Sequence, residues 1–173
     1  MMLAEVGKGD MAAHLRPTSD RVRESLFSIL EHMDVLHGAR VLDLFAGTGA
    51  LGLEALSRGA QNVCFVENGR VGQGLIAQNV QKLRAGDQTT LMRNDATRLG
   101  PWPHGAFDLV FLDPPYGKGM GEQALGRVLT GGWLTAGALV VWEESAAMNA
   151  PEGFERIEKR KYGDTHVTLL EVL

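Results

Sequence analysis

Cysteine is nearly missing from this chain of 173 residues. Its single example, Cys64, excludes an internal disulfide framework and a cysteine-rich zinc site, and no metal centre is expected. Cys64 lies inside an apolar run, where a thiol reads as a small buried hydrophobe. Long hydrophobic runs are missing too. No stretch approaches the roughly 20 apolar residues that a membrane-spanning helix needs, and no secretory leader is apparent. No membrane partner and a cytoplasmic address are therefore expected. Positive charge is not in excess either: 17 Lys and Arg stand against 21 Asp and Glu, a net charge of −4. A nucleic-acid binder ordinarily shows a basic footprint. The deficit excludes a uniformly basic surface, although local patches can still bind a polyanion. Repeats and low-complexity segments are absent. What remains, 45% hydrophobic and 22% charged residues, is ordinary for a globular protein, and the length suits one domain with a sizeable core.

Proline is scarce, with six in the chain, so two in succession carry weight. They stand in Asp113-Pro114-Pro115-Tyr116, directly after an apolar run over 107–112 that reads as a buried strand. Each proline fixes its own φ and removes a backbone donor, and the first restricts Asp113 as well. The product is a stiff, extended turn holding one carboxylate and one flat ring in a set relation. Such a turn suits a planar group bearing an amine. The carboxylate and a nearby carbonyl accept its N–H bonds while the ring stacks on it. A plain strand stop, with Tyr116 as a packing residue, is the competing reading.

Upstream, Val41-Leu42-Asp43-Leu44-Phe45-Ala46-Gly47-Thr48-Gly49-Ala50-Leu51-Gly52 runs from an apolar strand through a glycine turn into a helix. Gly47 and Gly49 let a ligand approach the backbone, with the helix N-terminus pointing at it. The spacing Gly47-x-Gly49-x-x-Gly52 also satisfies the dinucleotide fingerprint, so a nicotinamide oxidoreductase has to be weighed. Asp43 counts against it. A carboxylate just before the turn would face a pyrophosphate badly, whereas it could serve a ligand carrying an ammonium group. Later runs repeat the placement. The apolar run over 62–66 ends in Glu67, where a ribose diol is usually held, and 89–93 ends in Asn94-Asp95-Ala96. Asp43, Glu67, Asp95 and Asp113 thus each lie at or near the end of an apolar run. In an open parallel sheet the ligand crevice lies at the carboxyl ends of the strands, so the four acids converge on one crevice.

The periodicity predicts a helix over 19–33, a strand over 40–45, a helix to 58, a strand over 62–67 and a helix over 71–83. Strands over 89–93 and 107–113 follow, then a glycine-rich lid over 117–121, a helix over 122–129 and a strand over 138–143. Segments 154–161 and 165–172 form a hairpin turning at Gly163 and Asp164. Strands alternating with helices imply a parallel sheet with right-handed crossovers. Gly72 and Gly74 weaken the first turns of the third helix, for no reason visible in the sequence.

Together these residues resemble a methyltransferase of the Rossmann-like class that uses S-adenosylmethionine (SAM). The segment Arg16-Pro17-Thr18-Ser19-Asp20-Arg21-Val22-Arg23-Glu24-Ser25-Leu26-Phe27 looks like the signature of the RsmD family. Those bacterial enzymes methylate the N2 amine of one guanine in 16S ribosomal RNA. The run over 43–60, Asn79 and Tyr162-Gly163-Asp164-Thr165 fit the same family, so the likeness extends from Arg16 to the C-terminus. It implies an α/β Rossmann-like fold: a mostly parallel seven-stranded sheet with a C-terminal antiparallel hairpin and helices on both faces. It also implies SAM as cofactor, with Asp43 near the methionine moiety, Glu67 on the ribose and Asp95 on the adenine amine. Phe45, Ala46, Gly47, Thr48, Gly49, Asn68, Ala96 and Asp113 complete the cofactor crevice. Asp113, Pro114 and Tyr116 form the implied catalytic set, and Arg16, Thr18, Arg21, Arg23, Pro115 and Tyr116 the substrate contacts.

The implied partner is 16S rRNA in an assembling or assembled small subunit, whose proteins would offset the acidic composition, and a monomer is expected. Residues 16–173 constitute the methyltransferase domain. Residues 1–15 are expected to be irregular, with only Lys8 and His14 as possible cations where the family carries a short basic strand pair. Either the RNA-facing arm is reduced or the start is misplaced. Three rivals stay open: another amine acceptor (adenine N6 or a protein glutamine), the nicotinamide oxidoreductase, and a non-catalytic SAM- or RNA-binding scaffold. Asp rather than Asn at 113 leans toward a nucleobase, and the oxidoreductase leaves 113–116 unexplained.

Overall fold

Runs that are apolar without alternation become the centre of a parallel sheet, because a strand buried on both faces has no polar side to show. The computed structural model describes residues 19–173, so Arg16, Thr18 and the expected arm over 1–15 lie outside the described residues. The parallel strands are β1 (Arg40–Leu44), β2 (Asn62–Val66), β3 (Thr89–Met92), β4 (Phe107–Leu112) and β5 (Leu134–Glu144). Two more, β6 (Phe154–Tyr162) and β7 (Thr165–Val172), form the antiparallel hairpin that turns at Gly163 and Asp164 as the sequence predicts. The order is β3-β2-β1-β4-β5-β7-β6, with β7 antiparallel to β5. The winding reverses between β1 and β4, which are neighbours in space though β2 and β3 separate them in the chain.

Helices cover both faces. On one side α1 (Asp20–His32), α2 (Ala50–Ser57) and α3 (Arg70–Lys82) bury Leu26, Phe27, Leu30, Leu53 and Ile76 against Val41, Phe65, Phe111 and Val141. On the other side α4 (Met120–Thr130) packs Ala124, Leu125 and Val128 on Leu44, Leu112, Val140 and Trp142. Ser19 starts α1 by accepting the Val22 N–H at 3.2 Å, so this residue of the family-like segment caps the helix. Phe27 meets Phe111 with ring centroids 5.6 Å apart. Arg58, at the end of α2, reaches Glu54 at 2.9 Å, Glu31 at 3.0 Å and Glu24 at 3.2 Å, and so ties α2 to α1. Cys64 is buried in β2, and burial, with Asp43 adding to it, pushes its thiol up to about 12, which keeps it protonated.

Two boundaries differ from the sequence expectation for a physical reason. β5 begins at Leu134 rather than 138, continuing past Gly137, whose φ of +79° reads as a turn in sequence; a register shift between Phe107 and Leu109 absorbs the irregularity. α4 begins at Met120, capped by Gly119 in the left-handed conformation, which leaves only 117–119 of the expected lid as loop.

The structure also explains one of the two unplaced glycines of α3. A Cβ on Gly72 would stand 2.9 Å from Glu67 Cγ and 2.9 Å from the Gly47 carbonyl oxygen, whereas one on Gly74 meets nothing within 4 Å. Gly72→Ala is therefore expected to lower stability by about 1–3 kcal/mol through overpacking. Gly74→Ala should raise it by about 0.4–1 kcal/mol, by restricting the unfolded chain. Urea titrations of the two variants measure both, and equal shifts of one sign would contradict the packing described.

Candidate active site

The register brings the strand-end residues into one row. Leu44 pairs with Val66 and with Leu112, Val66 with Met92, and Leu112 with Trp142. The next residues along, Phe45, Glu67, Arg93, Asp113 and Glu143, therefore line the carboxyl edge of the sheet. Asp43 sits one turn of the pleat inside that edge, and Asp95 lies beyond the end of β3. The four acids singled out in the sequence do converge, and the reversal of winding between β1 and β4 sets the glycine turn beside the Asp113 turn.

The glycine turn is fixed from beneath by side chains. Phe45 has φ +56°, a strained value for an aromatic residue, and Gly47 and Gly49 follow at +60° and +78°. Glu67 holds this path. Its Oε1 accepts the Gly47 N–H at 2.8 Å and its Oε2 accepts the Gly69 N–H at 2.9 Å, so one carboxylate joins the turns after β1 and β2. Buried Asn79 donates to the Thr48 carbonyl at 3.0 Å, which gives that family-like residue a role in shaping the turn. Gly49, as the cap of α2, has no side chain to satisfy the first N–H groups of that helix. Asp43 supplies the acceptor from the strand, taking the Gly52 N–H at 3.0 Å. A Cβ on Gly52 would stand 2.6 Å from Phe65, so the helix can approach the strand closely enough for that bond only with glycine there.

These acids are held in different states. Burial, against the lowering effect of the Gly52 N–H and with Glu67 nearby, raises the Asp43 carboxyl well above the usual carboxylate range. Burial raises Glu67 too, opposed by its two backbone N–H donors. Asp95 is lowered, chiefly by the Thr97 hydroxyl at 2.7 Å, because it caps the short helical turn Ala96–Arg98 and remains near solvent. Ala96 is buried behind it, and Asn68 is exposed beside Glu67.

At the β4 end, Pro114 is buried while Asp113, Pro115 and Tyr116 are half-buried at the crevice. Sequence reasoning missed what braces them. Glu144, at the end of β5 and only 4% exposed, accepts the Gly117 N–H at 3.1 Å and the Ser145 N–H at 3.3 Å. Its neighbour Glu143 is buried on the opposite face. Both follow an apolar run, the same signal that flagged the other four acids. Among the expected substrate contacts, Arg21 is exposed on α1. Arg23 already pairs with Asp20 at 2.7 Å and lies 3.6 Å from Glu54, so it serves the α1–α2 junction.

A seven-stranded sheet of this order, with acids along its carboxyl edge and an Asp-Pro-Pro-Tyr turn at the reversal of winding, defines a Rossmann-like methyltransferase. The chain belongs to the family described as Conserved hypothetical protein 95, whose model matches residues 8–171. It is 35% identical to ribosomal RNA small subunit methyltransferase D of Haemophilus influenzae over 154 residues, covering 86% of this chain and 79% of that protein. Identity to the Escherichia coli protein of the same name is 39% over 139 residues, or 79% and 68% of the two chains. A solved structure from Haemophilus influenzae, described as a methylase, superposes with a TM-score of 0.76 at 33% identity, covering 91% of this chain and 99% of that one.

The raised carboxyls make stability depend on pH with a definite sign. In an unfolded chain Asp and Glu titrate near about 3.9 and 4.3. In the fold Asp43 and Glu67 keep their protons to higher pH. Between those limits the native state binds more protons than the unfolded state, so stability falls as pH rises from about 4 and levels off above the native values. Asp43→Asn removes one of the two groups while its side-chain carbonyl can still accept from Gly52. The variant is expected to melt above the parent at neutral pH and to lose less Tm on going up from about pH 4. An unchanged slope in thermal melts across that range would refute the assignment to Asp43.

Proposed function

We propose that this chain transfers a methyl group from SAM to the N2 amine of a guanine in the 16S rRNA of the small ribosomal subunit. The observation that carries this reading is the Asp113-Pro114-Pro115-Tyr116 turn standing beside the glycine turn at the point where the winding reverses. The named relatives, ribosomal RNA small subunit methyltransferases, support the substrate class.

The residues present fit the cofactor. Glu67 uses one lone pair on each oxygen for Gly47 and Gly69, and a carboxylate offers about four acceptor sites. Sites for a ribose diol therefore remain. Asp43 is a buried carboxyl that an ammonium group would return to its charged form. Phe45, Ala46, Thr48, Asn68, Asp95 and Ala96 flank these positions, and Asp95 is the acceptor proposed for the adenine amine. When bound, SAM supplies an electrophilic sulfonium methyl group.

The chain's own residues do the rest. Guanine's N2 lone pair is delocalised into the ring, which makes the amine a poor nucleophile. The Asp113 carboxylate and the Pro114 carbonyl accept the two N–H bonds and localise that pair on nitrogen. Tyr116 stacks on the base once it has left its neighbours, with Pro115 against its edge. Asp113 need not take a proton beforehand, because the amine becomes acidic only as it is alkylated. Much of the rate then comes from positioning and exclusion of water, which is why rigid prolines and the Glu144 brace matter. Exposed Arg21 and Lys118, the latter two residues past Tyr116, are available to RNA phosphates. A monomer in the cytoplasm goes with this substrate.

Methyl transfer from labelled SAM to unmodified small subunits and to stripped 16S RNA, followed by nucleoside analysis, tests the proposal. N2-methylguanosine is the expected product, with subunits preferred over bare RNA. Asp113→Ala should lose turnover by about 100-fold or more while SAM affinity stays within a few-fold. Near-normal turnover in that variant would remove Asp113 from the mechanism, and another methylated nucleoside would redirect the substrate.

A further inference from the structure

Glu143 differs from every other acid at the carboxyl edge. It is only 8% exposed, yet the described residues give its side chain no hydrogen-bond or ion-pair partner. Asp43 has Gly52, Glu67 has Gly47 and Gly69, and Glu144 has Gly117 and Ser145. A carboxylate placed in this way at a ligand crevice, with no donor from the described residues, can accept from a donor that the ligand brings. Its position says which donor. Leu112 pairs with Trp142, so Glu143 is the next register step beside Asp113, on a strand about 4.8 Å away. Strand alternation sets Glu143 on the face of Val141 and Phe111, while Glu144 falls on the face of Trp142 and braces the loop.

A planar group lying across these two strand ends would meet both acids and would be held best by offering a donor to each. The Watson–Crick edge of guanine presents two kinds of donor in succession, the N2 amine and N1–H. Adenine presents its N6 amine next to an N1 lone pair, and a glutamine amide presents its NH2 next to a carbonyl oxygen. Either would put an acceptor against the second carboxylate, and that repulsion discriminates as effectively as attraction does. We propose that Glu143 accepts the N1–H of the guanine whose amine is held at Asp113, and so determines base identity. The proposal rests on the guanine-N2 reading above and adds the residue that selects the base.

The test compares subunits carrying guanine with subunits carrying 2-aminopurine at the methylated position, assembled from 16S RNA joined from two pieces. 2-Aminopurine keeps the exocyclic amine and has an acceptor in place of N1–H. The wild type should favour guanine by about 10- to 100-fold in kcat/KM. Glu143→Gln, whose amide can donate to that acceptor, should lose a similar factor on guanine and bring the two bases within about threefold of each other. SAM affinity and Tm should hold. Glu143→Asp keeps the charge and should keep the guanine preference at a lower rate, and it carries the test if the Gln variant folds poorly. Glu144→Gln should slow both bases alike. A Gln variant that retains the wild-type ratio or loses SAM affinity overturns the assignment, as does a wild type indifferent to N1–H. A wild type that binds SAM yet leaves guanine N2 unmethylated overturns the underlying reading instead, and Glu143 falls with it.

Discussion

The glycine turn depends on one carboxylate. Glu67 lies at the end of β2 and bonds Gly47 on one side and Gly69 on the other, so the two loops that open the crevice share a single acceptor. Other features follow from that placement. Gly72 must lack a side chain because α3 passes over the Glu67 stem, and Phe45 sits at positive φ in the chain leading to the Gly47 N–H. Asp43 repeats the device one strand over, capping α2 from within the sheet. Burying carboxylates costs several kcal/mol per ion, and hydrogen bonds from backbone N–H groups recover only about 1.5–3 kcal/mol each. A sheet built for stability alone would place apolar residues there. The raised carboxyls of Asp43 and Glu67 register that cost, and a ligand bringing hydroxyl and ammonium donors is what would offset it.

The neighbouring turn is made rigid by other means. Between β4 and α4 the prolines fix the backbone locally, and a side chain from β5 completes the job at Gly117. The division follows from chain chemistry. Proline has no N–H to offer a ligand, so a turn that must hold its shape without presenting donors can use it. A turn that must bring its backbone close to a ligand needs glycine, and glycine needs outside help to stay in one conformation. The two turns meet because β1 and β4 are neighbours at the reversal of winding, which converts a separation of many residues in sequence into a single strand spacing.

Sequence carried the parts that depend on local chemistry. The unalternating apolar runs, the acids at their ends, the glycine turn, the proline turn and the hairpin at Gly163 and Asp164 could all be read directly. What could not be read depends on tertiary partners. Arg23 reads in sequence as a substrate contact, and its approach to Glu54 on α2 is visible only in the fold. Gly72 looked like a helix fault until Glu67 lay beneath it. The first part of β5 was hidden by Gly137, whose turn-like φ the sheet tolerates. Glu143 and Glu144 carried the same signal as the other acids. Adjacent in sequence, they read as one charged strand end, and only the pleat assigns them to opposite faces and different work.

The pleat and the burial at this edge also resolve the charge balance. A net charge of −4 argues against a polyanionic partner only if the excess acids are on the surface. Asp43, Glu67, Glu143 and Glu144 are buried along the carboxyl edge, and no Lys or Arg among the described residues is buried. Four of the 21 acids are thereby withdrawn, which leaves as many acids as the 17 Lys and Arg elsewhere on the chain. The acids withdrawn equal in number the chain's excess of acids over Lys and Arg, so the surface of the described residues is less acidic than the composition suggests. Long-range steering by such a surface is weak, so affinity for an RNA has to come from local cations and from the shape and donors of the base itself. That places the burden of recognition on the crevice edge, where Glu143 is the next register step beside Asp113.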